Sequence, residues 1–175
     1  HVGFMLMALA VGDAPGVQAL FVYLTLYICI SAGMFGCVLL MKRGDHSLEK
    51  ISDLAGLSQT HPWTAAAIAA FMFSMAGIPP LAGFFGKMYV VLAAVQGGLV
   101  ALAVIGVLTS VISGYYYLKV VKVMYFDPPA PSFNMHIPFL PRAALIIGVL
   151  VNVFFFLVPS PLLNLAWLAS RALVP

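Results

Sequence analysis

The residue best placed to do chemistry in this sequence is Lys87. It is the only charged residue in an apolar stretch running from Pro62 to Val95. An ammonium at the centre of a membrane span costs about 2.5–3.5 kcal/mol on insertion scales, which makes it a functional candidate by default. Such a group can load and release a proton. The plain alternative is snorkelling: Lys87 stands eight residues before Val95, roughly 12 Å of helix, and a lysine stem covers part of that distance. The neighbours favour chemistry. Gly77, Ile78, Pro79 and Pro80 precede the lysine, Gly83 lies one turn before it and Gly86 is adjacent. Two prolines remove backbone donors and break a helix, and open backbone at membrane depth survives only where it is packed in protein or lines a wet cavity. Transporters build midplane ion sites from such discontinuous helices. A lone proline would read as a kink, whereas two after a glycine, with a cation two turns on, read as a site.

Other groups are weaker. His1 lies at membrane depth and is either a proton relay or a packed, hydrogen-bonded neutral ring. Tyr27, Ser74, Thr109, Ser110, Ser113 and Tyr115 to Tyr117 either line a water path or act as interhelical glue and interface aromatics. Cys29 and Cys37, in one apolar run, read as small packing residues, with neither disulfide nor metal spacing. His46, His61 and His136 are scattered in connections. No nucleotide loop, catalytic triad, haem ligand set or iron–sulfur pattern is present.

The elements that must position Lys87 follow from composition. Of 175 residues, 63% are hydrophobic and 7% charged, with a mean hydropathy of +1.10. A soluble domain carries about 25% charged residues, so this chain lacks the surface of a soluble enzyme, a nucleic-acid binder or a disordered segment. It reads as an all-α integral membrane protein of about five spans. Residues 1–12 form a partial helix, as if a span were cut, and no removable signal peptide precedes it. Residues 17–41 form a full span. Residues 42–61 are a connection with an amphipathic piece, where Ser47 caps a short helix and Leu48, Ile51, Leu54 and Leu57 share a face. Residues 62–95 are a discontinuous helix, 99–124 a span, 127–141 a Pro-rich loop, and 142–170 a last span kinked near its end. The connections at 42–61 and 119–142 each hold three Lys or Arg, while those at 12–16 and 96–98 hold none. The positive-inside rule then puts the basic loops on the cytoplasmic or matrix side and the C-terminus outside.

Phe73-Ser74-Met75-Ala76-Gly77-Ile78-Pro79-Pro80-Leu81-Ala82-Gly83-Phe84-Phe85-Gly86-Lys87 closely resembles the broken-helix motif of the antiporter-like membrane subunits of respiratory complex I, the proton-pumping NADH:quinone oxidoreductase. His1-Val2-Gly3 resembles the end of that family's Ser-x-x-His-x-Gly stretch. Glu49 with Asp53-Leu54-Ala55-Gly56-Leu57 resembles the loop before its broken helix. The likeness covers most of residues 1–125 and continues beyond only in pattern. It implies a fragment of a fourteen-helix fold, helices ten to fourteen with the twelfth broken. Lys87 falls on the lysine assigned to the outward proton half-channel, and His1 falls near the central hydrophilic axis. Tyr27 stands where sister subunits carry a second histidine. A lysine rather than a glutamate at 87, and no long lateral helix, favour the N-type branch over the M and L types.

The resemblance further implies proton movement with no cofactor in this chain. NAD, FMN, iron–sulfur clusters and quinone would sit in partner subunits, and the inward half-channel would lie upstream. The implied partners are the other membrane-arm subunits, sister antiporter-like subunits among them, and the lipid bilayer, with no nucleic acid. The implied location is the bacterial inner membrane, or the mitochondrial inner membrane for an organellar chain. A multisubunit cation/proton antiporter and a purely structural scaffold are the competing readings.

Overall fold

The structure is a computed structural model and describes residues 1–39, 41–43, 46–47, 50–130 and 139–174. Helix α1 (Val2–Val11) ends at Gly12, whose φ of 78° lets its N–H turn back to the Leu9 carbonyl. Asp13 accepts from the Gly16 N–H at 2.8 Å and so opens α2 (Ala14–Leu39), an N-cap satisfying one of the helix's orphan donors. Two-residue strands, β1 (Lys42–Arg43) and β2 (His46–Ser47), pair antiparallel with Lys42 opposite Ser47. A 3-10 turn (Ile51–Leu54) and the short α3 (Leu57–Thr60) follow.

Helix α4 (Pro62–Ala76) and helix α5 (Ala82–Gln96) are the halves of the broken segment. Helix α6 (Val100–Phe126) is the longest. Helix α7 (Phe139–Phe154) runs through a 3-10 turn (Phe155–Leu157) into α8 (Ser160–Leu173).

Helix α2 is the hub, touching α1, α4, α5, α7 and α8. One buried cluster joins Val22, Leu26 and Ile30 of α2 to Ile68 and Phe71 of α4 and to Phe155. Another joins Phe4 and Met7 of α1 to Tyr23 of α2 and Val90 of α5. Among the described residues, Ala14–Val38 of α2 (25 residues, mean hydropathy 1.9) and α6 (27 residues, 1.7) are long and apolar enough to cross a membrane alone, whereas α1, α4 and α5 are shorter. Helix α6 buries little beyond Ala103 and the Val120 to Met124 end, so most of its large apolar side chains face outward.

Two expectations change. Ser47 is a strand residue, so it caps no helix; Leu48 and Glu49 lie outside the described residues. Leu54 and Leu57 are buried against the body while Ile51 is half exposed, because the Gly56 N–H bonds the Val123 carbonyl and Ala130 bonds Ala55, fastening this connection to α6. The last span is also more than kinked: its two parts meet at 86°. Val158 donates back to Phe155, and a new helix starts with proline in its first turn, where the missing N–H is harmless.

Candidate functional site

A helix that stops leaves its last four carbonyls without intrahelical donors. At the end of α4 these belong to Phe73, Ser74, Met75 and Ala76. Gly77, in the left-handed region at φ 90°, donates to Phe73 and Ser74, and Ile78 donates to Phe73, as a C-terminal glycine cap does. That leaves Met75 and Ala76. Lys87 supplies their donor: Nζ lies 2.8 Å from the Met75 carbonyl and 3.2 Å from that of Ala76. The third ammonium hydrogen goes to Ser110 Oγ on α6 at 2.7 Å. The Phe4 ring lies 5.6 Å from Nζ, within cation–π range. Lys87 is 9% exposed and all three of its donors are used. The break thus makes a carbonyl cation site at the negative end of a half-helix, filled by the chain's own ammonium.

Glycines permit this approach. A Cβ on Gly77 would meet Lys87 Cδ at 3.1 Å, and one on Gly83 would overlap the Ser74 carbonyl oxygen. The Gly83 N–H donates to Ser74 Oγ at 2.9 Å, tying the start of α5 to the end of α4. Pro79 and Pro80, in the turn between the two helices, have no N–H to satisfy.

His1 forms the neighbouring node. Its Nδ1 is 2.7 Å from the Tyr23 hydroxyl and its Nε2 3.0 Å from that of Tyr117. The Tyr27 ring lies 5.1 Å away, centroid to centroid. A neutral imidazole donates from one nitrogen and accepts at the other, so exchanging its tautomer reverses both tyrosine hydroxyls. His1, Tyr23, Tyr27, Ser74 and Lys87 line one crevice, barely large enough for one water molecule. Replacing Tyr23, 3% exposed, by Phe strips one ring nitrogen of its partner. The expected cost is about 1–3 kcal/mol, read as a lower midpoint in thermal unfolding of the purified protein. An unchanged midpoint would remove this bond from the account.

The structure therefore brings together Lys87, His1, Tyr27, Ser74, Ser110 and Tyr117 of the expected residues, with Gly77, Pro79 and Pro80 forming the break. Thr109, Ser113 and Tyr116 stay outside the crevice. Thr109 and Ser113 bond carbonyls of their own helix, at Gly106 and Ser110, while Tyr116 is 51% exposed beside Tyr117. Two other expected hydroxyls of helix α6 do reach the site from outside the crevice: Ser110 accepts from Lys87 and Tyr117 pairs with His1. They are seven residues apart, two turns on one helix face. Tyr23, absent from the expected set, is four residues before Tyr27 and shares its face. Among the described residues no group of His, Cys, Asp and Glu is arranged to hold a metal ion. Cys29 and Cys37 are free thiols, and His61 bonds its neighbour Thr60. His136 lies outside the described residues.

A broken membrane helix whose loose carbonyls grip a buried ammonium defines an antiporter-like membrane protein. The chain belongs to the NADH:quinone oxidoreductase/Mrp antiporter transmembrane family, whose model matches residues 1–113. It is 49% identical over 175 residues to NADH-quinone oxidoreductase subunit N of Parvibaculum lavamentivorans, covering all of this chain and 36% of that protein. Against subunit N of Azorhizobium caulinodans it is 53% identical over 173 residues, 99% of this chain and 36% of the relative. The chain thus spans about a third of the length of the curated relatives it matches.

Among solved structures, respiratory complex I from Thermus thermophilus with bound aureothin superposes with a TM-score of 0.80 at 28% identity, over 94% of this chain and 37% of that one. The Mrp complex from Dietzia superposes at 0.81 and 21% identity, over 95% and 39%, a likeness of fold alone. The antiporter-like fold and the N-type resemblance read from the sequence agree with these matches.

Proposed function

We propose that this chain is part of a membrane-arm, proton-translocating subunit of NADH:quinone oxidoreductase, with Lys87 as the proton carrier. The observation that carries the reading is the ammonium held by the Met75 and Ala76 carbonyls at the end of α4. Those carbonyls favour the charged lysine, and membrane burial opposes it. A modest change in local field then decides which state prevails. A unit charge 8 Å from Nζ acts with about 2 kcal/mol at an effective dielectric constant of 20, roughly a thirtyfold change in the protonation equilibrium. Coupling to electron transfer needs no redox group in this chain. NAD, FMN, iron–sulfur clusters and quinone act in partner subunits, and charge movement along the membrane arm reaches Lys87 electrostatically. His1, bridging Tyr23 and Tyr117, supplies protons along the crevice.

In this reading the protein sits in the bacterial inner membrane, or in the mitochondrial inner membrane for an organellar source, with its C-terminus outside and sister antiporter-like subunits beside it. A cation/proton antiporter of the multisubunit type is the second reading, because the matching family covers both assemblies. Native purification in mild detergent with mass spectrometry separates them. Co-migrating NADH-oxidising and quinone-site subunits support the oxidoreductase. Antiporter partners alone would make an ion gradient the motor and end the redox reading.

A further inference from the structure

A proton carrier in a directional path needs two ports, one through which the proton arrives and another through which it leaves. Lys87 opens on one side to the crevice shared with His1, Tyr27 and Ser74. Its remaining contacts are the Met75 and Ala76 carbonyls, the Phe4 ring and Ser110 Oγ. Carbonyl oxygens accept a hydrogen bond but hold no proton to pass on. An aromatic face holds none either. Ser110 alone among these carries an exchangeable hydrogen, and it comes from a different helix than the crevice residues.

We infer that Ser110 is the second port of Lys87, the hydroxyl through which the proton crosses to the α6 side. This rests on the reading of Lys87 as a proton carrier. While the ammonium donates to Oγ at 2.7 Å, the serine's own hydrogen points away from Nζ. In the transfer one N–H bond breaks as an O–H bond forms on Ser110. The serine's original O–H bond breaks as that proton passes to a water molecule on its far side. Lys87 is left as a neutral amine, Ser110 is again a neutral hydroxyl, and no electrons move. Ser110 is half-buried, touching the ammonium on one side and left open on the other, where the relay places its water molecule. The hydroxyl serves both states of the lysine, since it accepts from the ammonium and can rotate to donate to the amine lone pair, while the two carbonyls keep the remaining N–H groups. No other ligand of Nζ can reverse in this way.

The test uses membrane vesicles bearing the whole complex with Ser110→Thr, Ser110→Val or Ser110→Ala. Threonine and valine have nearly the same shape and differ by the hydroxyl. Proton uptake driven by NADH is followed with a pH-sensitive dye and normalised to assembled complex and to electron flux, with Lys87→Met in parallel. The expected result is that Ser110→Thr keeps more than about half of the pumping that Lys87→Met abolishes, whereas Ser110→Val and Ser110→Ala lose that share about tenfold or more, down to the level of Lys87→Met. Should valine hinder assembly, the smaller alanine carries the comparison. Valine or alanine pumping as well as threonine, with Lys87→Met still defective, overturns the port and leaves the carrier standing. Full pumping by Lys87→Met overturns both.

Discussion

Lys87→Met in the assembled complex is expected to lower the proton transfer passing through this subunit at least tenfold, since a positioned proton-transferring group typically contributes about 10²–10⁴-fold. Folding is expected to change far less, because two effects oppose each other. Methionine matches the lysine stem in length and ends the burial of an ammonium, a relief of about 2.5–3.5 kcal/mol at a span centre. It also leaves the Met75 and Ala76 carbonyls without donors, at about 1–3 kcal/mol each. The two nearly cancel, so the amount of complex formed should hold while pumping falls. Lys87→Arg sharpens the test. Arginine keeps a positive charge and stays protonated, so it can grip the carbonyls without releasing a proton. Pumping should fall in that variant too. Full activity with arginine would show that a fixed charge suffices, and Lys87 would lose its role as carrier.

Gly83→Ala is expected to strike the fold itself. The added methyl group would overlap the Ser74 carbonyl oxygen and sit 2.7 Å from the carbonyl carbon and 2.8 Å from Oγ. The first two are backbone atoms and cannot turn aside, so α5 must move away from α4. That movement stretches the Gly83 N–H bond to Ser74 and the lysine's reach to Met75. Overpacking costs about 1–3 kcal/mol, and a backbone obstacle puts this change at the upper end. Less assembled complex and a lower unfolding midpoint are the readouts. Gly114→Ala is the control: a Cβ there meets nothing within 4 Å, and alanine in a helix gains about 0.5–1 kcal/mol over glycine. Equal behaviour of the two variants would rule out the close approach at the break.

The break and its lysine were legible in the sequence because each violates the local rule. One charge in a long apolar stretch, and two prolines where a span should continue, leave few alternatives. The lysine's partners were less legible. Two are backbone carbonyls, which any residue supplies, so nothing in the side chains of Met75 or Ala76 announces them. The third is one of several hydroxyls on α6. That helix is apolar around most of its circumference, so no polar face shows which hydroxyl turns inward. The seven-residue spacing of Ser110 and Tyr117 was the available signal, since it sets both on one face while Tyr116 turns away. The sharp bend at Val158 was hidden for another reason: composition records that Pro159 and Pro161 interrupt a helix, but the angle is set by how α8 packs on α2.

The division of the broken segment into two 15-residue helices also bears on how the protein enters a membrane. A self-inserting span needs about 20 apolar residues, and neither half has them. The second half carries Lys87 besides. The flanking α2 and α6 are long and apolar enough, so on the ribosome the weak pair follows α2 and waits for α6. Ser110 arrives only with that later helix, and with it the ammonium's third acceptor. A nascent chain stopped after Gln96 therefore lacks both the helix that secures the pair and the hydroxyl that completes the lysine's coordination.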